Sequence, residues 1–299
     1  MRVSFSIPLK PQSGKHKFAI LLAHEMREMG VVVTNKKPDV NLVFLKDVKG
    51  GCKNIFRLDG VWMNTKVSAK KKNASIASRM KKCDGIIYQN EFCRRAGEKF
   101  IRKFKTYDVI MNGSKLPVGT TPYLGDRPYV LTFCRWRPHK RLKDTINGFL
   151  GSGLHKDYDL IVLGKKPDYV IKHPAVKYMG HKQKNLWSFI LGSEYVVHLA
   201  YIDWCPNSVI ESLVAGKNVL HSSTGGTAEV VRDNGIRITD KPWNFKTVDL
   251  YNPPKLNADD VSKAFHGMLK LSSPDSSYLN IKSVAKQYVN FCIKIIENG

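Results

Sequence analysis

The sequence predicts an α/β protein with parallel sheets, divided into two domains. Three observations carry that prediction. Short apolar runs alternate with amphipathic segments of helical length along the chain, the pattern of strands joined by crossover helices. At 299 residues the chain has room for two domains of ordinary size. A stretch rich in Gly and Pro, 113–128, interrupts the alternation and reads as the connection between them. We therefore expect a first domain over 1–125 and a second over 126–275.

Taken in order, the apolar runs place strands at 2–7, 31–34, 40–45, 54–58, 85–89 and 108–111 in the first half. Helices are expected at 16–29, 66–82 and 91–104. The loop 10–17, with Gly14 at its centre, joins the first strand to the first helix, and glycine lets backbone approach a ligand closely there. The helix beginning at Glu91 sets Phe92, Ala96, Phe100 and Phe104 on one side and Arg94, Arg95, Arg102 and Lys105 elsewhere. Such a face commonly covers a sheet. Extended over 91–105, it would also suit an anionic membrane or a row of phosphates. In the second half, strands are expected at 129–133, 160–163 and 218–221, and helices at 142–149, 205–216, 258–271 and 278–296.

Residues 201–229 carry the most chemistry. Asp203 and Glu211 are separated by seven residues that include a helix start, Cys205-Pro206-Asn207-Ser208. Proline is favoured in a first helical turn, where its missing N–H costs nothing. The free N–H groups at that end, with the helix dipole, form an anion site. A strand follows, and a Gly225-Gly226 turn then leads to Glu229. A phosphate between two polyhydroxyl groups suits this spacing, as in a nucleotide sugar. Upstream, Phe133-Cys134-Arg135-Trp136-Arg137-Pro138-His139-Lys140-Arg141 lies between a strand and a helix. Ligands of open α/β sheets bind at such carboxyl ends.

Together these segments resemble the family 4 glycosyltransferases. That family's usual signature is Glu, seven residues, Glu, then Ala-x-x-x-Gly. Here it reads Asp203, seven residues, Glu211, then Ser212-Leu213-Val214-Ala215-Gly216. The Cys-Pro-Asn segment is similar to small members of the family. Arg135 and Lys140 match the family's Arg and Lys on the donor diphosphate, with Cys134 where the family has Gly. The resemblance covers 126–240 well and 1–125 more loosely. It implies the GT-B fold, two Rossmann-like domains whose parallel sheets face a central cleft, with the terminal segment 276–299 packed back on the first domain. It implies a retaining transfer from a nucleoside-diphosphate sugar, a UDP-sugar foremost, without an essential metal or other cofactor. Arg135, Lys140 and Asp203 become the catalytic set, with Asp203 on the donor sugar. Glu211, Asn207, Ser208, Gly225 and Gly226 become donor-binding. On the acceptor side, Gly14 is a candidate, and Arg57-Leu58-Asp59-Gly60 is similar to a string in small relatives. Asp59 would orient or deprotonate an acceptor hydroxyl, although Asp-Gly alone also makes an ordinary turn.

Charge narrows the acceptor. The net charge is +24. Residues 1–125 hold 25 Lys and Arg against 9 Asp and Glu, an excess of 16 of that total. A basic acceptor domain suits an anionic partner. DNA carrying hydroxymethylated bases is the first expectation, with Lys15, Lys17, Lys70, Lys71, Lys72, Arg94 and Arg95 as candidate contacts. An anionic membrane presenting a lipid-linked or polysaccharide acceptor is the second. A non-catalytic nucleic-acid-binding protein on the same scaffold is the third.

Other classes find no support. No apolar run approaches the ~18 residues of a membrane span, and the start lacks a signal-peptide core. Six scattered cysteines suit a reducing, cytoplasmic setting. No zinc spacing, P-loop or nucleophile elbow occurs. Asp157-Tyr158-Asp159 has the form of a metal-binding pair, but it opens a strand and so belongs at the end opposite a ligand site.

Overall fold

The computed structural model describes residues 1–44, 48–165, 167, 169–182 and 185–298. Leu45, expected in the third strand, and Gly299, expected in the terminal segment, lie outside them. The chain forms two compact units. One comprises Met1–Ser114, Phe245–Val248 and the chain from Tyr278; the other comprises Lys115–Asn244 and Asp249–Ser277.

The first unit is built on six parallel strands, β1 (Arg2–Phe5), β2 (Val32–Val33), β3 (Val40–Val43), β4 (Lys53–Leu58), β5 (Gly85–Tyr88) and β6 (Tyr107–Val109). Their order is β2-β1-β3-β4-β5-β6. Continuous apolar runs are what a parallel sheet covered on both faces requires. One polar row crosses it: Ser4 Oγ lies 2.8 Å from Asn41 Oδ1, and Asn41 Nδ2 donates to Asn54 Oδ1 at 2.9 Å. The three are register neighbours, so each buried polar group is satisfied by the next strand. Crossovers are made by α1 (Gly14–Glu28), α2 (Ala69–Met80) and α3 (Glu91–Phe100).

The second unit has β7 (Tyr129–Phe133), β8 (Asp159–Leu163), β9 (Val176–Gly180), β10 (Val196–His198), β11 (Val219–Ser222) and β12 (Arg237–Ile238), again all parallel. The order is β12-β11-β10-β7-β8-β9. The chain winds outward from β7 through β9, returns to β10 and winds the other way. The switch point therefore lies between β7 and β10, where open α/β sheets form their ligand crevice. Its helices are α4 (Leu142–Gly151), α5 (Leu186–Gly192), α6 (Asn207–Val214), α7 (Thr227–Val231) and α8 (Ala258–Met268). Gly148 lets α4 and α8 meet, since a Cβ there would stand 2.3 Å from Val261 Cγ1.

The last helix, α9 (Ile281–Glu297), packs in the first unit's core, where Val284, Tyr288 and Phe291 join Phe18 and Leu22 of α1. At the start of this return, Ser114 N–H donates to the Leu279 carbonyl and Ile281 N–H donates to the Ser114 carbonyl. The division falls after Ser114, so 115–125 belongs to the second unit, where the sequence reading starts that unit at 126. Tyr123 supplies the reason: its ring stacks 4.3 Å from Phe189, and its carbonyl accepts from the Tyr129 hydroxyl. Residues 245–248 return to the first unit by strand-like pairing of Val248 with Met63 and Thr65.

One helix differs from expectation. α3 ends at Phe100, not at 104 or 105. Ile101 leaves helical geometry (φ −122°, ψ −82°), and the chain turns toward β6. Gly97 faces inward, against Tyr88 and Leu58, and Phe92 and Ala96 are buried. The Phe92 and Ala96 side of α3 therefore covers the sheet, while Phe100 stays half-buried. Among the described residues no helix is long and apolar enough to cross a membrane.

Candidate active site

At the switch point of the second sheet, β7 ends at Phe133 and releases the loop 134–141. A glycine is required beside it: Gly164 has φ +131°, and a Cβ there would stand 2.3 Å from the Cys134 carbonyl. Trp136 donates from Nε1 to the Leu163 carbonyl at 2.9 Å, tying the loop to the end of β8. Arg135 is exposed and makes no hydrogen bond or ion pair among the described residues. The loop closes with Pro138–Lys140 as one 3-10 turn and with Arg141 in the left-handed region (φ 55°). Arg141 is buried. It forks onto the Asp240 carboxylate at 2.7 and 2.9 Å and donates to the Leu199 carbonyl at 3.3 Å. The His139 carbonyl accepts from Tyr201 N–H at 2.8 Å. These bonds pin the loop to the segment leaving β10.

That pinning brings two predicted residues together. Lys140 Nζ donates to Asp203 Oδ2. The same oxygen lies 3.0 Å from His198 Nε2, and Asp203 Oδ1 accepts from Trp204 N–H at 3.0 Å. His198, the last residue of β10, is 5% exposed, so its Nε2 carries the proton that the carboxylate accepts. The lysine and aspartate side chains are 14% and 18% exposed. Burial alone would raise the Asp203 pKa; the Lys140 ammonium and the His198 bond outweigh it and hold the carboxyl well below the usual range. Burial pushes both imidazoles down, His139 to about 3, so both stay neutral at ordinary pH.

The Asp203 loop is shaped by Gly225. Gly226 N–H donates to the Asp203 carbonyl at 2.7 Å, and Gly225 has φ +119°. A Cβ on Gly225 would meet Asp203 backbone atoms at 2.8 and 2.9 Å, so only glycine fits. Gly226 precedes α7 as its N-cap. Pro206 is the N-cap of α6, one position before the first turn, and its carbonyl accepts from Val209 and Ile210. Asn207 and Ser208 open the helix, and Ser208 N–H has no partner among the described residues. Glu211 sits half-buried one turn on. Arg135, Lys140, Asp203, Asn207, Ser208 and Glu211 thus lie on the two segments that follow β7 and β10, the strands flanking the switch point.

In the first unit, Asp59 follows β4. Arg57 donates from Nη1 to Asp59 Oδ1 and from Nη2 to Asn112 Oδ1. Gln89 Nε2 also donates to Asp59 Oδ1, at 3.1 Å. Arg57 is 1% exposed and lies over the adjoining rings of Phe18 and Phe44, at 4.9 and 5.0 Å. Asp59 keeps 37% of its side chain exposed, so the network fixes it and leaves it accessible. Gly14 is the first residue of α1 and not mid-loop, with Ser13 as N-cap and Ser13 Oγ 2.7 Å from His16 Nδ1.

The expected cationic contacts are not alike. Lys70, Lys71 and Lys72 are exposed on α2, and Lys72 Nζ stands 3.7 Å above the exposed Trp62 ring. Lys15 and Lys17 are half-buried in the first turn of α1. Arg95 is exposed and stacks on Phe245 at 4.9 Å. Arg94 departs from expectation: Glu91 and Glu98 each bind it at 2.6 Å, so its charge is already neutralised on its own helix. Asp159, considered as half of a metal pair, sits at the amino end of β8 and meets Arg127 at 3.4 Å. Among the described residues no three His, Cys, Asp or Glu side chains converge as a metal site.

Solved structures share this fold. Anabaena HepE (Alr3699), solved with UDP-glucose, superposes with a TM-score of 0.64 at 12% identity over 99% of this chain and 98% of that one. Sucrose-phosphate synthase from Thermosynechococcus elongatus gives 0.64 at 11% identity over 99% and 96%. The fold is GT-B. AviGT4, a glycosyltransferase involved in avilamycin A biosynthesis, gives 0.62 at 12% identity over 100% and 98%. No protein-family model and no curated protein matches the chain.

Sequence reasoning missed His198, Arg141, Asp240, Gly164 and the burial of Arg57. Arg141, Asp240, Gly164 and Arg57 are each defined by a partner distant in sequence, whereas His198 meets Asp203 five residues on. The one local signal was His198 itself, a polar residue closing an apolar run.

Proposed function

We propose that the chain is a retaining glycosyltransferase that moves a sugar from a nucleoside-diphosphate donor, a UDP-sugar, to an acceptor hydroxyl. The observation that carries this is the gathering of the Arg135, Lys140 and Glu211 segments beside β7 and β10, at the switch point of a GT-B sheet. In the transfer the bond from the anomeric carbon to the diphosphate oxygen breaks and a bond to the acceptor oxygen forms. The acceptor proton passes to the leaving phosphate oxygen. Negative charge grows on the diphosphate, and preorganised cations and dipoles offset it. Arg135, exposed and unpartnered, can fork onto phosphate oxygens, and Lys140 adds a point charge. The Ser208 N–H and the α6 dipole add to this. Glu211 accepts from the ribose hydroxyls. The cations take the role a metal ion would otherwise fill, so we expect activity to survive excess chelator; activity lost and restored only by Mg²⁺ or Mn²⁺ contradicts this.

The acceptor we propose is hydroxymethylated base in DNA. The charge excess in residues 1–125 and the exposed Lys70–Lys72 run support it. A base in a duplex must first leave the stack, so extrusion or a single-stranded substrate is required. The experiment screens labelled nucleotide sugars with hydroxymethylated DNA and, separately, with a lipid extract. Label on DNA supports the full reading. Label on lipid or saccharide alone replaces the acceptor and keeps the enzyme. No hydrolysis, transfer or thermal protection with any nucleotide sugar leaves a non-catalytic nucleic-acid-binding protein.

A further inference from the structure

We infer that Asp203 acts on Lys140, as a positioning residue that holds and partly neutralises the ammonium, and does not contact the donor sugar. The inference rests on the donor-site reading. It departs from the sugar contact that the resemblance implies.

The geometry leaves the Asp203 carboxylate little to offer. Oδ2 already receives Lys140 and His198, and Oδ1 receives Trp204 N–H. A carboxylate has about four lone-pair sites, and three are taken here. Two of these donors cannot readily swing away. His198 is buried at the end of a central strand, and Trp204 N–H is backbone adjacent to Asp203 itself. The Asp203 backbone is fixed from the other side by Gly226 N–H and by the close approach of Gly225. Aspartate is also one methylene shorter than glutamate. A short side chain held by two fixed bonds, His198 and the Trp204 N–H, on a rigid loop has little slack with which to reach a sugar.

Lys140 is the mobile member. Its backbone is set by the 3-10 turn and the Arg141 clamp, but its ammonium sits at the end of a flexible four-carbon stem. The partly exposed Lys140–Asp203 pair is locally neutral while His198 stays neutral. A diphosphate arriving there must share the ammonium with Asp203. The carboxylate thus steers Lys140 to one place and lowers its attraction for phosphate in the resting protein. Arg135, with no carboxylate partner, is the cation that meets the diphosphate at full charge.

The two roles separate experimentally, because UDP and UDP-glucose share the diphosphate and differ in the sugar. Wild type, Asp203→Asn, Lys140→Met and the double variant are titrated with both ligands by calorimetry. We expect Asp203→Asn to tighten UDP and UDP-glucose by the same several-fold factor. That change should disappear when Lys140 is already Met, the signature of two residues acting as one unit. Turnover in Asp203→Asn should fall, since the freed ammonium is no longer placed. A loss confined to UDP-glucose, or no change with either ligand, overturns the inference and leaves the donor site standing. Wild-type protein that binds no nucleoside diphosphate overturns the donor reading and this inference with it. If Asp203→Asn does not fold, Asp203→Ala, which also removes the charge, carries the same cycle. A shift shared by both ligands and abolished by Lys140→Met supports the inference, and one seen with UDP-glucose alone overturns it.

Discussion

Arg57 in the first unit and Arg135 in the second both stand at the carboxyl end of a parallel strand, and they are used in opposite ways. Arg57 is 1% exposed, packed against two adjoining phenylalanine rings and bonded to Asp59 and Asn112. Arg135 is exposed and unpartnered among the described residues. The carboxylates are reversed as well: Asp59 is fixed yet open, whereas Asp203 is largely buried and occupied. One sheet presents an anchored carboxylate and the other presents a free cation. A hydroxyl to be activated suits the first and a diphosphate suits the second. The comparison teaches that the same fold position serves different chemistry according to which partner is buried.

The comparison breaks most directly at the cations. Arg135→Ala and Lys140→Ala should each lower turnover by roughly two orders of magnitude or more, the scale seen when one charge-stabilising group is removed. Asp59→Asn should lower transfer to the acceptor while sparing slow hydrolysis of the donor. Initial rates of transfer and hydrolysis measure all three. Near-normal turnover in both cation variants removes the donor site from the second unit.

Arg57 should behave as structure where Arg135 behaves as function. Arg57→Ala leaves buried Asn112 and the two ring faces without the guanidinium. We expect a stability loss of about 2 kcal/mol, the size of a charge-assisted buried hydrogen bond left unmade. Arg135→Ala should change stability by less than about 0.5 kcal/mol, as exposed unpartnered sites do. Urea unfolding of the two variants tests the contrast, and equal losses erase it.

Part of this was legible in the chain. Strand 129–133 could be read to the residue because its run is largely apolar, begins after Pro128 and gives way to the charged Arg135, and β7 is Tyr129–Phe133. Arg135, Lys140, Asp203 and Glu211 announced themselves by spacing. What spacing could not show is pairing: Lys140 and Asp203 are 63 residues apart, and the pairing of β7 with β10, the Arg141–Leu199 bond and the His139–Tyr201 bond bring their segments together. Burial of Arg57 was hidden because an arginine in a strand reads as exposed, and its cover comes from Phe18 and Phe44 on separate elements. The expected helix to 104 followed from phenylalanine periodicity, which cannot register that the chain must turn at Ile101 to reach β6. Strand β10 has only three residues, too few for a period.

Acid should separate the units. His139, His198 and His221 are all in the second unit; burial pushes each down, His139 to about 3 and His221 to about 4. The unfolded histidine titrates near ~6.5. Below that value the unfolded chain binds protons that the folded unit refuses, so stability falls as pH drops from about 6.5 toward 4. The slope reaches about 1.4 kcal/mol per pH unit for each histidine. Four of the five tryptophans, Trp136, Trp187, Trp204 and Trp243, are in this unit, so fluorescence reports it. His221→Asn should flatten the profile, and a profile already flat between those limits contradicts the burial of these rings.

The smallest effect distinguishes cations that are free from cations that only look free in the sequence. If the first unit tracks DNA, log affinity should fall linearly with log salt, by about 0.9 for each phosphate neutralised. Lys70 and Lys71 are exposed on α2 and carry no carboxylate partner among the described residues. Replacing either with Ala should make the slope shallower by about one for each phosphate that lysine neutralises. Arg94 already spends its charge on Glu91 and Glu98 at 2.6 Å each. Arg94→Ala should therefore leave the slope unchanged, although the residue belongs to the same basic unit. Filter binding over a salt series measures all three. A slope that falls with Arg94→Ala and not with the lysine variants would move the anionic interaction from α2 to α3. That outcome would also require the two glutamates to release the guanidinium on binding, which Glu91→Gln together with Glu98→Gln would then enhance.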